Sequence, residues 1–225
     1  MEISIEELKN NRTLIAQFLD STLLKTDASE ADIILLCKDA AAYQFKTVCV
    51  YPYYIPLCKA LLRDRNVGVC TVIGFPSGMT IKEAKIAEAE QALLYGAQEL
   101  DIVMNIGAAK SGNWRYVEDE LAEIIKHTPK VFHKVIIECC YLTDKEKAVA
   151  CAAALSAGAE MVKTSTGFGT EGAVAEDVRL MREAVGIKAG IKAAGGIKTF
   201  EQAISFIQAG ADRIGTSSAV QIAKI

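Results

Sequence analysis

The amino-acid sequence predicts a (β/α)8 barrel, in which eight parallel strands close into a cylinder surrounded by helices. Short apolar runs typical of buried strands alternate with longer segments of 3.6-residue periodicity along the 225 residues. A Gly-Ala pair recurs in YGAQELDIV, SAGAEMVKT and QAGADRIGT, where glycine can end a helix in the left-handed conformation. These glycines, at positions 96, 158 and 210, are 62 and 52 residues apart. Two strand-helix units in each interval give about 26 to 31 residues a unit, so eight units fill the chain.

The predicted elements follow one another in a regular order. The acidic, amphipathic start MEISIEELKN predicts a short N-terminal helix, and the first strand is expected to be short, near AQFLDST at 16–22. The other strands are predicted at TVCVYP (47–52), VGVCTVIGF (67–75), ELDIVMNIG (99–107), KVIIECC (134–140), EMVKTS (160–165), GIKAGIKAAG (186–195) and DRIGTS (212–217). Helical periodicity is evident between them, as in TIKEAKIAEAEQALLYG and EDELAEIIKHT.

The main alternative fold is a doubly wound open sheet. That fold would place a glycine-rich GxGxxG fingerprint in its first strand-to-helix turn, and no such motif follows an early strand here. No Pro/Ser-rich linker or change of composition divides the chain. We therefore expect a single TIM-barrel domain over residues 1–225.

Composition restricts the kind of partner. The formal net charge is −3 and the isoelectric point is near 5.6, which gives no general attraction for nucleic acid or anionic membranes. The N-terminus lacks the basic start and apolar core of a signal peptide, and no apolar run approaches the ~20 residues that span a bilayer. We expect a cytoplasmic protein that acts on a small molecule.

Cysteine and histidine usage argues against a metal site. The seven cysteines form an odd set without a CxxC motif, which favours reduced, buried thiols over disulfides or a metal site. The two histidines, His127 and His133, are not near a cluster with metal-ligand spacing. Lysines and carboxylates must then be considered for any chemistry.

Three predicted strands contain an ionisable residue where apolar side chains are expected. Asp101 lies in ELDIVMNIG, Lys163 in EMVKTS and Lys192 in AGIKAAGG. Each could belong to a structural ion pair inside the barrel. Their presence on predicted strands four, six and seven favours a function, because one carboxylate cannot fully compensate two ammonium groups.

An excess of positive charge has a chemical use. A free lysine, with a pKa of about 10.4, is neutral in only about one molecule in 10³ at pH 7, so a lysine nucleophile needs its pKa lowered by roughly three units. A second ammonium about 4 Å away contributes about 4 kcal/mol at an effective dielectric near 20. Lys163 and Lys192, on adjacent predicted strands, can form such a pair, and Asp101 can orient the charged partner and a water.

The loops after the last three predicted strands suggest a phosphate site. They contain TGFGT (166–170), AAGGI (193–197) and GTSSA (215–219). Barrels often bind phosphate with the loops after strands seven and eight. Gly195 and Gly196 allow close backbone approach, while Ser217 and Ser218 offer hydroxyls and a helix cap. The alternative is that these residues form ordinary turns and caps.

The chain resembles the deoxyribose-phosphate aldolase family over nearly its whole length. The segments that carry this resemblance are DSTLLK (20–25), TVCVYP (47–52), VIGFPSG (72–78), ELDIVMNIG (99–107), KVIIE (134–138), VKTSTGF (162–168), IKAAGGI (191–197) and RIGTSS (213–218). The lysine-containing segments and RIGTSS are the most specific.

The resemblance implies reversible cleavage of 2-deoxy-D-ribose 5-phosphate to glyceraldehyde 3-phosphate and acetaldehyde, without a cofactor. It implies that Lys163 forms a Schiff base, that Lys192 perturbs it, and that Asp101 shares in proton transfer through water. The residues implied to line the sugar side are Asp20, Thr22 and Cys49. Those implied to hold phosphate are Thr166, Gly167, Gly195, Gly196, Gly215, Ser217 and Ser218.

Several positions differ from the family pattern. Ser21 replaces the histidine of DHTLL, Ala194 replaces the serine of KASGG, and Cys139 replaces a threonine often found after IIE. Phe168 stands where some longer relatives have a phosphate-binding lysine, and the chain ends in AVQIAKI where those relatives have a tyrosine tail. These differences affect the phosphate contacts and the proton route more than the nucleophile.

Two other functions are compatible with these patterns. One is another phosphate-binding barrel lyase or an isomerase, for which Glu138 is the only candidate base at a strand end. The other is a non-catalytic sugar-phosphate-binding protein. Single barrels often pair through their outer helices, so we also expect a homodimer or a higher homo-oligomer.

Overall fold

The eight strands of the computed structural model, which describes residues 3–224, form a closed barrel in the order β1 to β8. All neighbouring strands are parallel, including β8 with β1. The strands are β1 (Leu19–Leu23), β2 (Thr47–Val50), β3 (Gly68–Ile73), β4 (Glu99–Val103), β5 (Phe132–Ile136), β6 (Met161–Lys163), β7 (Gly190–Ala194) and β8 (Arg213–Thr216). The predicted (β/α)8 barrel is confirmed.

Helices surround the barrel and connect its strands. They are α1 (Ile5–Asn10), α2 (Glu30–Tyr43), α3 (Ile55–Leu61), α4 (Lys82–Tyr95), α5 (Ile106–Lys110), α6 (Trp114–His127), α7 (Asp144–Ser156), α8 (Ala175–Val185), α9 (Phe200–Gln208) and α10 (Ala219–Ala223). Gly96, Gly158 and Gly210 all have positive φ, between 96° and 113°, as the Gly-Ala repeats predict. Across residues 3–224, every helix is too short or too polar to cross a bilayer.

The ends of several predicted strands were wrong. Residues 16–18 belong to a 3₁₀ helix, Arg12–Phe18, whose start is capped by Asn11, so β1 begins only at Leu19. Gly186 has a φ of 56° and ends α8, which delays β7 until Gly190. These corrections share one cause. A helix or a turn includes residues whose side chains, taken alone, are typical of a strand.

Strand side chains alternate between two environments. Those that point outward, such as Leu100 and Ile102 of β4, pack with the helices in the main apolar core. Leu24, Cys49, Cys70 and Val72 form a second, small apolar cluster. Five charged strand residues are nevertheless at most 2 % exposed: Asp20, Asp101, Lys134, Lys163 and Lys192. Charges in such positions are costly unless they are paired.

The loop after β3 packs closely against the end of β4. At Gly78 the backbone has a φ of +69°, and an added Cβ would lie 1.9 Å from the carbonyl oxygen of Met104. Gly78→Ala therefore combines a backbone penalty with a backbone clash, and we expect it to lower the free energy of unfolding by about 3 kcal/mol. Chemical denaturation measures this loss.

Gly112 provides the matched control for this prediction. Its φ is +74°, but an added Cβ would meet no atom within 4 Å. Gly112→Ala should cost only about 1 to 2 kcal/mol, the backbone penalty alone. Equal losses in the two variants would contradict a role for the close contact at Gly78.

Candidate active site

The three charged residues singled out in the sequence lie together inside the barrel. Lys163 and Lys192 are paired in the register of β6 and β7. Both ammonium nitrogens contact the same oxygen, Oδ2 of Asp101, at 2.7 Å from Lys163 and 2.8 Å from Lys192. The nitrogens are therefore no farther apart than the sum of these distances, close enough for strong repulsion between two ammonium groups.

Three further lysine contacts extend this cluster toward the other end of the strands. Lys192 also lies 2.5 Å from Oδ2 of Asp20. Lys134 lies 2.9 Å from Oδ1 of Asp101 and 2.6 Å from Oε2 of Glu99. Lys192 and Lys134 thus each bridge two carboxylates, and Asp101 joins the two bridges.

Arg213 completes a closed circuit of ion pairs. Its Nε lies 2.8 Å from Oδ1 of Asp20, and its Nη2 lies 2.6 Å from Oε2 of Glu99. We call this circuit the charge ring, and its members in order are Asp20, Lys192, Asp101, Lys134, Glu99 and Arg213. It alternates three carboxylates with three cations, and Lys163 is attached to it only through Asp101.

The charges stabilise one another in this buried setting. Burial would raise the pKa of Asp101, but Lys134, Lys163 and Lys192 outweigh it and hold the pKa well below its usual range. Burial would lower the pKa of Lys192, but Asp101 and Asp20 raise it above its usual value. Lys192 therefore stays an ammonium at neutral pH.

A cavity of about 270 Å³ opens beside Lys163 at the carboxyl ends of the strands. Its lining includes seven of the predicted substrate-binding residues: Thr22, Thr166, Gly167, Gly195, Gly196, Gly215 and Ser217. Among the described residues, the lining does not include Asp20, Cys49 or Ser218. Asp20 instead belongs to the charge ring. Lys163 is the residue that joins the buried charges to the cavity.

Two glycines of the cavity wall make close packing possible. A Cβ at Gly215 would lie 2.9 Å from Cε of Lys192, so the missing side chain leaves room for the lysine stem. Gly195 has a φ of +93°, and its carbonyl oxygen would lie 2.3 Å from a Cβ at Gly172. These positions have a structural reason for glycine that is independent of phosphate.

The backbone N–H and the hydroxyl of Thr166 donate hydrogen bonds to a carboxylate, so they are not free donors at the cavity. Its backbone N–H donates to both oxygens of Glu138 at 3.2 Å, and its hydroxyl also donates to Glu138. The Thr166 hydroxyl in turn accepts from the N–H of Phe168 at 3.0 Å. Glu138 is buried, which raises its pKa, and has an uncommon φ of 53°. This contact fixes the loop after β6.

The cavity contains two cations that sequence reasoning missed. Lys25 and Lys198 both line it; Lys25 ends the segment DSTLLK, and Lys198 directly follows the segment IKAAGGI. Within residues 3–224, the backbone N–H groups of Gly167, Gly195 and Gly196 donate to no other protein group. Ammonium groups and unused N–H donors are what an anionic phosphate requires.

A further group of possible ligand atoms involves Asp101. The donor atoms of Cys49, Cys70 and Asp101 lie within 4.8 Å of one another, a cluster that sequence spacing did not predict. Asp101 already contacts three ammonium groups. The local positive charge makes the cluster a poor fit for a metal cation.

A closed (β/α)8 barrel with a lysine amine at the carboxyl ends of its strands has the architecture that a lyase forming an imine with a small carbonyl compound requires. The family profile of the DeoC/LacD family aldolases matches residues 14–222. The chain belongs to this family.

Curated relatives and solved structures agree with this assignment. The deoxyribose-phosphate aldolase of Thermococcus kodakarensis is 55 % identical over 216 residues, which are 94 % of this chain and 96 % of that protein. The deoxyribose-phosphate aldolase of Carboxydothermus hydrogenoformans is 53 % identical, with 93 % and 94 % covered. The tetrameric deoxyribose phosphate aldolase of Aeropyrum pernix superposes with a TM-score of 0.89 at 35 % identity, covering 96 % of this chain and 93 % of that one.

Proposed function

We propose that the protein catalyses reversible aldol cleavage of 2-deoxy-D-ribose 5-phosphate to D-glyceraldehyde 3-phosphate and acetaldehyde, through a Schiff base at Lys163. The observation that carries the proposal is that Lys163 both lines the cavity and contacts Asp101 beside the permanent ammonium of Lys192. The names of the curated relatives support the substrate.

The first half of the reaction forms an imine and breaks a carbon-carbon bond. The neutral amine of Lys163 attacks C1 of the open-chain aldehyde, and the resulting carbinolamine takes up one proton from solvent and loses water to leave a protonated imine. The C3 hydroxyl then gives its proton to a water held by Asp101 and Lys192, the C2–C3 bond breaks, and its electron pair moves into the imine to form an enamine. Glyceraldehyde 3-phosphate leaves with the new carbonyl group at the former C3.

The second half restores the free amine. The same water, held by Asp101 and Lys192, returns this proton to C2 of the enamine, which regenerates the protonated imine. A second water hydrolyses the imine, so that acetaldehyde leaves and Lys163 is free. In the reverse direction the same enamine adds to glyceraldehyde 3-phosphate.

The phosphate is assigned to the side of the cavity formed after β1, β7 and β8. Lys25 and Lys198 supply positive charge there, and Gly195, Gly196 and Ser217 supply N–H and hydroxyl donors. The two lysines compensate for the lysine that this chain lacks at Phe168. Thr166 contributes through the loop that Glu138 holds.

The alternatives are less well supported. An isomerase needs a base at the cavity, and the carboxylate of Glu138 is occupied by Thr166. A binding protein would not need an ammonium pair with a shared carboxylate. We also infer a homo-oligomer, a dimer or larger, which light scattering can measure; the Aeropyrum pernix relative is a tetramer.

Trapping of the Schiff base tests the proposal directly. Incubation with acetaldehyde and borohydride should add an ethyl group to Lys163, because reduction makes the imine permanent. Peptide mapping by mass spectrometry identifies the modified lysine. Lys163→Met is the control and should show no adduct in the active-site peptides. An adduct on Lys192, or none in the wild-type protein, would refute the assignment.

A further inference from the structure

We infer that Glu99, Lys134 and Arg213 are positioning residues that keep Lys163 ready to lose its proton, by fixing the charge balance beneath the cavity. This inference rests on the proposed role of Lys163 as the nucleophile. None of the three residues lines the substrate cavity in the described part of the chain. Their effect on the reaction would therefore be electrostatic.

The charge ring is neutral without Lys163. Every carboxylate in it contacts two of its cations, and every cation contacts two of its carboxylates. The ammonium of Lys163 is a fourth cation beside three carboxylates, and it shares its Asp101 oxygen with Lys192. Because unbalanced charge is costly in a buried site, loss of the Lys163 proton relieves the excess.

The contacts also explain why Lys163 and no other lysine of the cluster should become neutral. Lys134 and Lys192 each contact two carboxylates, so either would lose two ion pairs on deprotonation. Lys163 contacts one carboxylate, that of Asp101, among the residues that the structure describes. The charge ring thus directs the deprotonation to the amine that lines the cavity.

Among residues 3–224, no titratable group other than Asp101 forms an ion pair with Lys163. The thiol of Cys70 donates a hydrogen bond to Asp101 at 3.3 Å. Burial raises the pKa of this thiol, so Cys70 remains neutral. The oxygens of Glu138 accept hydrogen bonds from Thr166, so Glu138 acts on Lys163 only through space. In the part of the chain that the structure describes, the remaining groups that face the cluster or the cavity are Cys49 on β2 and the cations Lys25 and Lys198.

Substitutions at Glu99 and Lys134 distinguish an electrostatic effect on Lys163 from an effect of altered packing. Lys134→Met removes a positive charge and should hold Lys163 as an ammonium, which moves the acid limb of the pH profile upward. Glu99→Gln removes a negative charge and should move it downward. Each shift should be on the order of one pH unit, since the charges act over a few ångströms at an intermediate dielectric.

The profile is best measured as the rate of labelling by acetaldehyde and cyanoborohydride against pH, with kcat/KM for cleavage as a second readout. Labelling reports imine formation separately from the later proton transfers. If Glu99 and Lys134 had a merely structural role, both variants would be less active, but their pH profiles would not move in opposite directions. Circular dichroism establishes that each variant is folded.

The buried pair Lys85 and Glu120 supplies matched controls. It lies between α4 and α6 with an N–O distance of 2.7 Å, and both side chains are fully buried. Lys85→Met and Glu120→Gln should lower stability but leave the acid limb in place. If Lys134→Met does not fold, Arg213→Met removes a cation from the same charge ring and should give the same upward shift.

The outcomes separate this inference from the proposed function. Suppose that wild-type Lys163 is labelled. If the pH profiles of Glu99→Gln and Lys134→Met are then unshifted, or shift in the same direction, only this inference is overturned. Absence of labelling at Lys163 in the wild-type protein would overturn the proposed function as well.

Discussion

Lys192→Met is expected to lower kcat/KM at pH 7 by about 10³, with the acid limb of the pH profile moving upward by up to about three units. The substitution removes the ammonium that repels Lys163 and frees the Asp101 oxygen that the two lysines share. Both changes favour the protonated, unreactive form of Lys163. Steady-state kinetics between pH 6 and about 10 measures the effect.

The explanation predicts partial recovery at high pH, where Lys163 loses its proton without help. Lys147→Met is the control, because Lys147 is a largely buried ammonium on α7 that pairs with Asp144 and Asp177 outside the barrel interior. It should leave the pH profile unchanged. Normal activity of Lys192→Met at pH 7 would refute the charge-pair mechanism.

Asp101→Asn is expected to lower both stability and activity. Asp101 contacts three ammonium groups, so its neutralisation leaves buried positive charge without compensation and should cost about 3 to 5 kcal/mol in the free energy of unfolding. Turnover should fall by about 10² to 10⁴, since the water that protonates the enamine loses its acceptor. Guanidinium denaturation and steady-state kinetics measure the two effects.

The stability loss should depend on pH in a defined direction. The lysines lower the pKa of Asp101 in the folded protein, so its stabilisation is complete above the ordinary carboxyl pKa of about 4 and is lost as the pH falls further. The difference between wild type and Asp101→Asn should narrow below about pH 4. Asp177→Asn, which loses an outer ion pair with Lys147, is the control and should retain full turnover.

Much of the fold could be predicted because its signals are local. The alternation of apolar runs with helical periodicity, and the glycines that end α4, α7 and α9, are properties of short segments. The proximity of Lys163 and Lys192 followed from their places on consecutive strands. Strand ends were less predictable, since they depend on caps such as Asn11 and on turns such as Gly186.

The charge ring could not be read from local sequence. Glu99 lies two residues before Asp101, and Arg213 lies at the start of β8, where a charged side chain usually faces water. Their pairing requires the closure of the barrel and the register across it. The contact between Glu138 and Thr166 was missed for a similar reason, because the left-handed conformation of Glu138 is stabilised by its tertiary surroundings.

The link between Asp20 and Arg213 joins residues 193 positions apart, on the first and last strands. A chain that has assembled β1 to β7 but not β8 would leave two carboxylates of the interior, Asp20 and Glu99, without their guanidinium partner. Such a partly assembled barrel is penalised electrostatically as well as by its exposed strand edges. The charge ring, which we propose prepares Lys163, therefore also favours all-or-none folding, and partly folded forms should be sparsely populated.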